Sequence, residues 1–405
     1  MELLVFIFSF LLPTQFGKHF FFPFSYLSGI RVDYLAPTIY LTDIVSLVLI
    51  LMWLLPLVKE IGNWKRRSMA YILPAFVFII LILINCVFSL SKPLWLYGLV
   101  RVAQFVFLFW FFRHHGKRKS VYSALVWGLF LGACFELTLS LFQLSTRHSI
   151  QGLWYYFGER SFSIFTPGIA KAYFMGKEFL RPYGTFSHPN SLGGFYLLVY
   201  IFTLTQKRIS NVPLRRAFLF VSSALVLISF SRSAIVVYVV INLLYFSRNF
   251  LFCKACFLAK LSVAFVLILF ALTISGDINS FQKRTDFMQK SLSIIAQKPF
   301  TGTGIGSYLI AQHAYPQKFS TFFEQPVHNI FLLVIAQVGI PLSILIFILI
   351  FQRIHIKIRR EYFLLPLLCI LITGSVDHYW VTLQQNVLVF AVLFGILFVY
   401  EETSA

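Results

Sequence analysis

The 405-residue sequence predicts an all-α, polytopic integral membrane protein with about twelve transmembrane helices. Three observations carry that expectation. Hydrophobic residues make up 59% of the chain and charged residues 12%, where a soluble domain has about 25% charged. Apolar runs near the roughly 20 residues needed to cross a bilayer recur from end to end, and mean hydropathy is +0.82. The roughly ten-residue alternation of an outer-membrane barrel is absent, so backbone groups in lipid must pair within helices.

Taken in order, the first run, 2–13, is short. It lacks the basic n-region and the small-residue cleavage site of a signal peptide, so it reads as structure. Runs at 38–58, 70–90, 94–112, 121–144 and 189–206 follow. The next pair, 217–231 and 234–247, is tightly spaced, and 261–275, 330–352, 362–376 and 385–400 complete the set. The whole chain, 1–405, reads as a single transmembrane domain with two larger segments between spans, 145–188 and 276–329. In the second of these, Phe281, Met288, Leu292 and Ile295 fall at near-heptad spacing, as expected of an interfacial helix.

A net charge of +20 raises the question of nucleic acid, and its distribution answers it. Nineteen of the 34 Lys and Arg residues lie in Lys59–Arg67, Arg113–Lys119, Lys207–Arg216, Arg248–Lys260 and Arg353–Arg360. All five segments fall on one side of the span order, which the positive-inside rule makes cytoplasmic. The charge is topology signal and attraction to lipid headgroups, with no nucleic-acid partner implied. Both termini are then expected in the cytoplasm and the two long segments outside. Cys86, Cys134 and Cys369 lie in spans. Cys253 and Cys256 form a C-x-x-C with no further ligands nearby, so all five read as free thiols.

The unusual chemistry gathers on the outer side. Arg181-Pro-Tyr-Gly-Thr-Phe-Ser-His-Pro-Asn190 packs a cation, two prolines, a glycine, hydroxyls, His188 and the amide of Asn190 directly before a span. Pro189 suits the first position of a helix, and the exposed amides at that helix start favour anions. Arg232, between two apolar runs, either snorkels to headgroups or grips phosphate. His328-Asn329 opens the tenth span; His328 is either a polar cap or a general base, with Glu324 as a candidate to orient it or replace it. Gly302, Gly304 and Gly306 alternate without P-loop spacing, forming either a flexible turn or a loop whose amides approach phosphate or sugar. Within spans, Asp43 and Glu136 are alternative partners for Arg101, and Arg101 is also a candidate to face the same cavity as Arg232. Outer acids are scattered with no Asp-x-Asp, so no metal site is expected.

Four motifs in order carry a resemblance. The 181–190 segment, Ser231-Arg232-Ser233-Ala234, Pro299-Phe-Thr-Gly-Thr-Gly-Ile-Gly-Ser307, and His328-Asn329 followed by Gly339-Ile-Pro-Leu342 resemble the O-antigen ligase and polymerase superfamily. They span a core region of about 180–342. Ser233 stands where glycine is common, and Gln337 where an acidic residue is common.

The resemblance implies a glycosyltransferase of the bacterial plasma (inner) membrane with an extracytoplasmic active site. Its donor is an undecaprenyl-diphosphate-linked glycan, and its acceptor a glycan, lipid A–core or a protein. It is expected to work by inversion, without metal or cofactor. His328 would be the base, with Arg232 and Arg181 on the diphosphate. Arg101, His188, Asn190, Gly304, Gly306 and Asn329 would bind substrate. Two other classes fit the span count: a flippase for lipid-linked oligosaccharides, and a glycan-binding relative without catalysis. Internal repeats, frequent in transporters, are absent.

Overall fold

The computed structural model describes residues 1–59, 72–174, 176–249, 254–274, 280–316, 318, 324–355 and 360–399. Cys253, Asp277 and parts of the basic segments Lys59–Arg67, Arg248–Lys260 and Arg353–Arg360 lie outside the described residues.

The chain is mostly helical. In order, the helices are α1 (Glu2–Leu11), α2 (Leu41–Lys59), α3 (Ile72–Val87), α4 (Lys92–His115), α5 (Lys119–Thr146) and α6 (Pro189–Thr205). Next come α7 (Val212–Ile228), α8 (Arg232–Asn249), α9 (Lys254–Thr273), α10 (Ser280–Gln297) and α11 (Tyr308–His313). The last are α12 (Ile330–Val338), α13 (Ile340–Ile354), α14 (Glu361–Gly374), α15 (Tyr379–Thr382) and α16 (Gln384–Val399). Each apolar run thus contains a helix. Among the described residues, α4 and α5 have the length and hydropathy to cross a bilayer, and shorter apolar helical stretches of 10–17 residues lie in α1, α2, α3, α8, α9, α13, α14 and α16.

Three short antiparallel ladders sit in the connections. They pair β1 (Gly17–His19) with β4 (Thr38–Tyr40), β2 (Tyr26–Leu27) with β3 (Ile30–Arg31), and β5 (Lys171–Phe174) with β6 (Lys177–Leu180).

The chain divides into two compact units. The first comprises Met1–Phe16, Phe112–Ile278 and Ile358–Ala405. Its axis is α6, buried along almost its whole length and apolar on every side, as a central helix must be. Helices α7, α8, α14 and α16 pack around it. Helix α1 lies along α5, where Gly128 and Gly132 form the small-xxx-small pattern that lets membrane helices approach: a Cβ at Gly132 would stand 2.9 Å from the Phe10 carbonyl.

The second unit comprises Gly17–Phe111 and Asn279–Lys357. Its core gathers Leu35, Leu94, Ile294, Tyr308, Val327 and Leu333 from the β-hairpin region and helices α4, α10, α11 and α12. Here the structure departs from the expected single span at 330–352, which is broken at Gly339 into α12 and α13. Gly339 adopts φ +80° and ψ 166°, which only glycine tolerates, and Pro341 lacks the amide needed to continue the helix. The amide of Ile340 turns away to the Pro299 carbonyl at 2.7 Å.

Gly339→Ala is expected to destabilise the protein by about 1–3 kcal/mol. A Cβ there is strained by φ and sits 2.5 Å from the Phe300 carbonyl. The thermal midpoint of the detergent-solubilised protein measures this, and an unchanged midpoint would show that the break does not require glycine.

Candidate functional site

In the first unit the 181–190 segment is held from beneath by α5. Gln143 and Glu136, seven residues apart and so on one face of that helix, are both fully buried. The Gln143 Oε1 accepts from the amides of Tyr183 and Gly184 at 2.9 and 2.8 Å. Its Nε2 donates to the Gly184 carbonyl at 3.0 Å and to Glu159 at 2.8 Å. Glu136 accepts from the Thr185 amide at 3.0 Å and from its hydroxyl at 2.5 Å. The turn passes so close to Glu136 that a Cβ on Gly184, whose φ is +57°, would overlap the carboxylate. The sequence offered Glu136 as a partner for Arg101; it is instead an anchor for this turn.

Further along, Arg160 donates to the Ser187 carbonyl at 3.1 Å, and the Ser187 hydroxyl donates to Gln15 at 2.8 Å. Burial pushes the Tyr183 phenol above its usual pKa; the Ala170 amide, which it accepts at 2.8 Å, and the Arg181 charge pull the other way, and burial prevails.

That anchoring aims Arg181. Its Nε donates to the Ser229 carbonyl at 3.1 Å and its Nη2 to Asn190 Oδ1 at 2.6 Å. Asn190 in turn donates through Nδ2 to Asp377 at 2.9 Å. Pro189 opens α6, as the sequence indicates, and His188 is its N-cap, with Nδ1 accepting from the Asn190 amide at 3.1 Å. His188 therefore satisfies one of the amides that the sequence reading offers to an anion. The adjoining Ser191 exchanges hydrogen bonds with Asn386 of α16.

Ser229 belongs to the sharp α7–α8 turn, in which Phe230 has φ +51° and the Ser231 amide donates to Ser229 Oγ at 3.2 Å. Gly193 of α6 lets that turn approach: a Cβ there would stand 2.6 Å from Ser229 Oγ. Three residues past Ser229, Arg232 begins α8, solvent-exposed, and has no hydrogen-bond or ion-pair partner among the described residues. The first unit thus brings Arg181, His188, Asn190, the Arg232 turn and Asp377 into one connected cluster.

The remaining sequence-derived candidates belong to the second unit. His328 is half-buried and stacks on Phe287, with ring centroids 6.2 Å apart. Asn329 is the N-cap of α12 and accepts from the Leu332 amide at 3.0 Å. Glu324, offered as an aid to His328, accepts from Gln312 at 2.9 Å and contacts His313 at 2.9 Å.

Gly304 and Gly306 do not present their amides to a ligand. Those amides donate to the Gln337 carbonyl at 2.9 Å and to its side-chain oxygen at 2.8 Å. Both glycines have positive φ, and a Cβ on Gly304 would overlap Ser89. The alternating glycines are a packed turn on the helix break.

Arg101 is likewise committed. It pairs with Asp43 at 2.6 Å, donates to Gln104 at 3.0 Å and to the Tyr97 hydroxyl at 2.8 Å, and reaches the Thr38 carbonyl. These contacts account for its place in an apolar helix as a structural ion pair.

The sequence reading did not single out Gln143 or Asp377 as site residues. A polar residue inside a long apolar helix was the available signal for Gln143. For Asp377 the signal was the polar and aromatic cluster Asp377-His378-Tyr379-Trp380 just after an apolar run.

Residues 217–347 match the family described as O-antigen ligase. The matched stretch contains the Arg232 turn, the glycine turn and His328. No curated relative matches the chain.

Gln143→Leu removes one acceptor and one donor from buried backbone groups of the turn. It is expected to cost about 2–4 kcal/mol and to open the 181–188 segment to protease. Thermal midpoint and limited proteolysis read the two effects, and a variant as stable and as resistant as the parent would refute the anchoring role.

Proposed function

We propose, from the O-antigen ligase-like identity of this chain, that it is a glycosyltransferase of the bacterial plasma membrane. Its family match supports the O-antigen ligase and polymerase superfamily and a role in envelope polysaccharide synthesis. In this reading about twelve helical segments cross the bilayer, the termini are cytoplasmic, and the site faces outward. The donor is a glycan on undecaprenyl diphosphate, and the acceptor hydroxyl belongs to a glycan, lipid A–core or a protein.

One observation carries the chemistry. Arg181 donates to the Asn190 amide oxygen and to the carbonyl of Ser229, which lies three residues before the exposed Arg232. A guanidinium fits phosphate in bidentate fashion. As the glycosyl–oxygen bond breaks, negative charge builds on the departing diphosphate. Cations already in place stabilise that charge without reorganising.

Asp377, through Asn190, positions Arg181. His328 acts as the general base that takes the proton of the acceptor hydroxyl as it attacks. Attack opposite the leaving diphosphate inverts the anomeric centre, and no step calls for a metal.

A flippase is the second reading, favoured only by the many helices. It differs in needing no base. Purified protein supplied with lipid-linked glycan and an acceptor is expected to form the transfer product, undiminished by EDTA. Arg232→Ala and Arg181→Ala are each expected to lower the rate by about 10²–10³-fold, with Arg232→Lys intermediate, and His328→Ala to abolish transfer while the protein stays folded. Product formed at the parental rate by His328→Ala would sink the assignment of the base. No product with any acceptor, together with glycan translocation in vesicles, would establish the flippase.

A further inference from the structure

A second constellation of reactive side chains lies wholly within the second unit and has no part in the glycosyl transfer described above. Strands β2 and β3 are joined by the two-residue turn Ser28-Gly29, with Leu27 paired to Ile30. Both turn residues have positive φ, +47° and +77°, the geometry of a type I′ hairpin. Asn, Asp and Gly are the residues that suit the first of these positions, so serine is there against backbone preference.

Its hydroxyl has a partner 285 residues away: Ser28 Oγ lies 2.9 Å from His313 Nε2. The other ring nitrogen, Nδ1, lies 2.9 Å from Glu324 Oε1. The Glu324 side chain is almost fully buried, at 1% exposure, and its second oxygen is fixed by Gln312 at 2.9 Å.

The hydrogen-bond roles follow from the chemistry of the groups. An ionised carboxylate only accepts, so Nδ1 carries the ring proton and donates it to Glu324, which leaves Nε2 as the acceptor for the Ser28 hydroxyl. This is the nucleophile–base–orienter arrangement, with both links within hydrogen-bond reach. Ser28 is exposed on a strained turn, and a Cβ built on Gly29 meets nothing within 4 Å, so a substrate has room beside the hydroxyl. Among the described residues, the amides of Ser28 and Gly29 donate to no backbone carbonyl outside the ladder. An amide immediately after the nucleophile is a common donor to a developing oxyanion.

We propose that Ser28, His313 and Glu324 form a second active site that cleaves a short-chain ester, such as an acetyl group carried on a bulky alcohol. The open space beside Gly29 fits a small acyl group on a large alcohol. In the first half-reaction the Ser28 proton passes to His313 Nε2 while Oγ bonds to the acyl carbon. The ester C–O bond then breaks, and the alcohol leaves with that proton. In the second, water attacks the acyl-serine, His313 takes its proton and returns it to Ser28 Oγ, and the short carboxylic acid departs. Glu324 holds the imidazole in the required tautomer throughout. The proposal does not rest on the glycosyltransferase reading.

The test is covalent labelling of the full-length protein in detergent with a fluorophosphonate probe, followed by peptide mass spectrometry. The expected result is a phosphonyl adduct on Ser28. Hydrolysis of p-nitrophenyl acetate should exceed that of p-nitrophenyl palmitate. It should fall about 100-fold or more in Ser28→Ala and His313→Ala, and at least about 10-fold in Glu324→Gln. Ser28→Ala should leave glycan transfer intact. No adduct on Ser28 in the unmutated protein, or acetate hydrolysis unchanged in Ser28→Ala, would overturn the proposal and leave the trio as a tether for the hairpin.

Discussion

The contact on which the first unit depends is the double hold of α5 on the turn Tyr183–Thr185. That turn has no ladder or helix of its own to satisfy its backbone groups, and it runs through buried surroundings. Each unpaired amide or carbonyl there costs on the order of 1–3 kcal/mol. Gln143 supplies an acceptor and a donor where the backbone needs both, and Glu136 accepts twice one residue further on. Only an amide side chain has that complementarity to a peptide group, which is why glutamine and not glutamate stands at 143. With the turn fixed, Arg181 emerges at one end and the start of α6 at the other, and the guanidinium meets Ser229 and Asn190 without a search.

The two units hold arginine in different settings. Arg101 lies in a long apolar helix, with its charge answered by Asp43 and its remaining donors taken by Gln104, Tyr97 and Thr38. Burying that cation without a carboxylate would be prohibitive, and the pair is what permits it. Asp43 contributes to local structure as well, accepting from the Tyr40 amide at 2.8 Å at the start of α2. Arg181 donates to the Ser229 carbonyl and to the Asn190 amide oxygen, and Asn190 in turn donates to Asp377. Neither residue type nor position in a hydropathy plot distinguishes the two settings.

Much of the helical architecture was legible in the sequence because it depends on local rules. Apolar runs became helices, Pro189 opened α6, and Asn329 capped α12. The break at Gly339 was also written locally, as glycine followed two residues later by proline, but the apolar run on either side outweighed it. What local rules do not contain is the partner across a long loop. Gln143 reaches Gly184, Ser28 reaches His313, and Gly306 reaches Gln337, and none of these pairs has a spacing that announces it. The glycine turn shows the cost of reading composition alone. Alternating glycines suggest open amides, but their positive φ values serve a close approach to Gln337 and Ser89, and that approach consumes the amides.

Helix α10 shows how the surroundings change the meaning of a pattern. In water its apolar residues would face the core. Here Phe281, Met288 and Leu292 are exposed, while Asp286, Lys290 and Ser291 are buried beside Phe287 and Ile294. Burial alone would raise the Asp286 pKa, but the ammonium groups of Lys290 at 2.8 Å and Lys318 at 3.2 Å outweigh it and hold the carboxyl below its usual range. A helix with ion pairs inside and phenylalanine outside is inverted relative to a soluble protein. The arrangement suits an element lying at a membrane surface, with its exposed face in the acyl boundary and its charged face turned to protein. That same helix supplies Phe287, on which His328 stacks. The amphipathic helix and the candidate base His328 therefore belong to one packing unit.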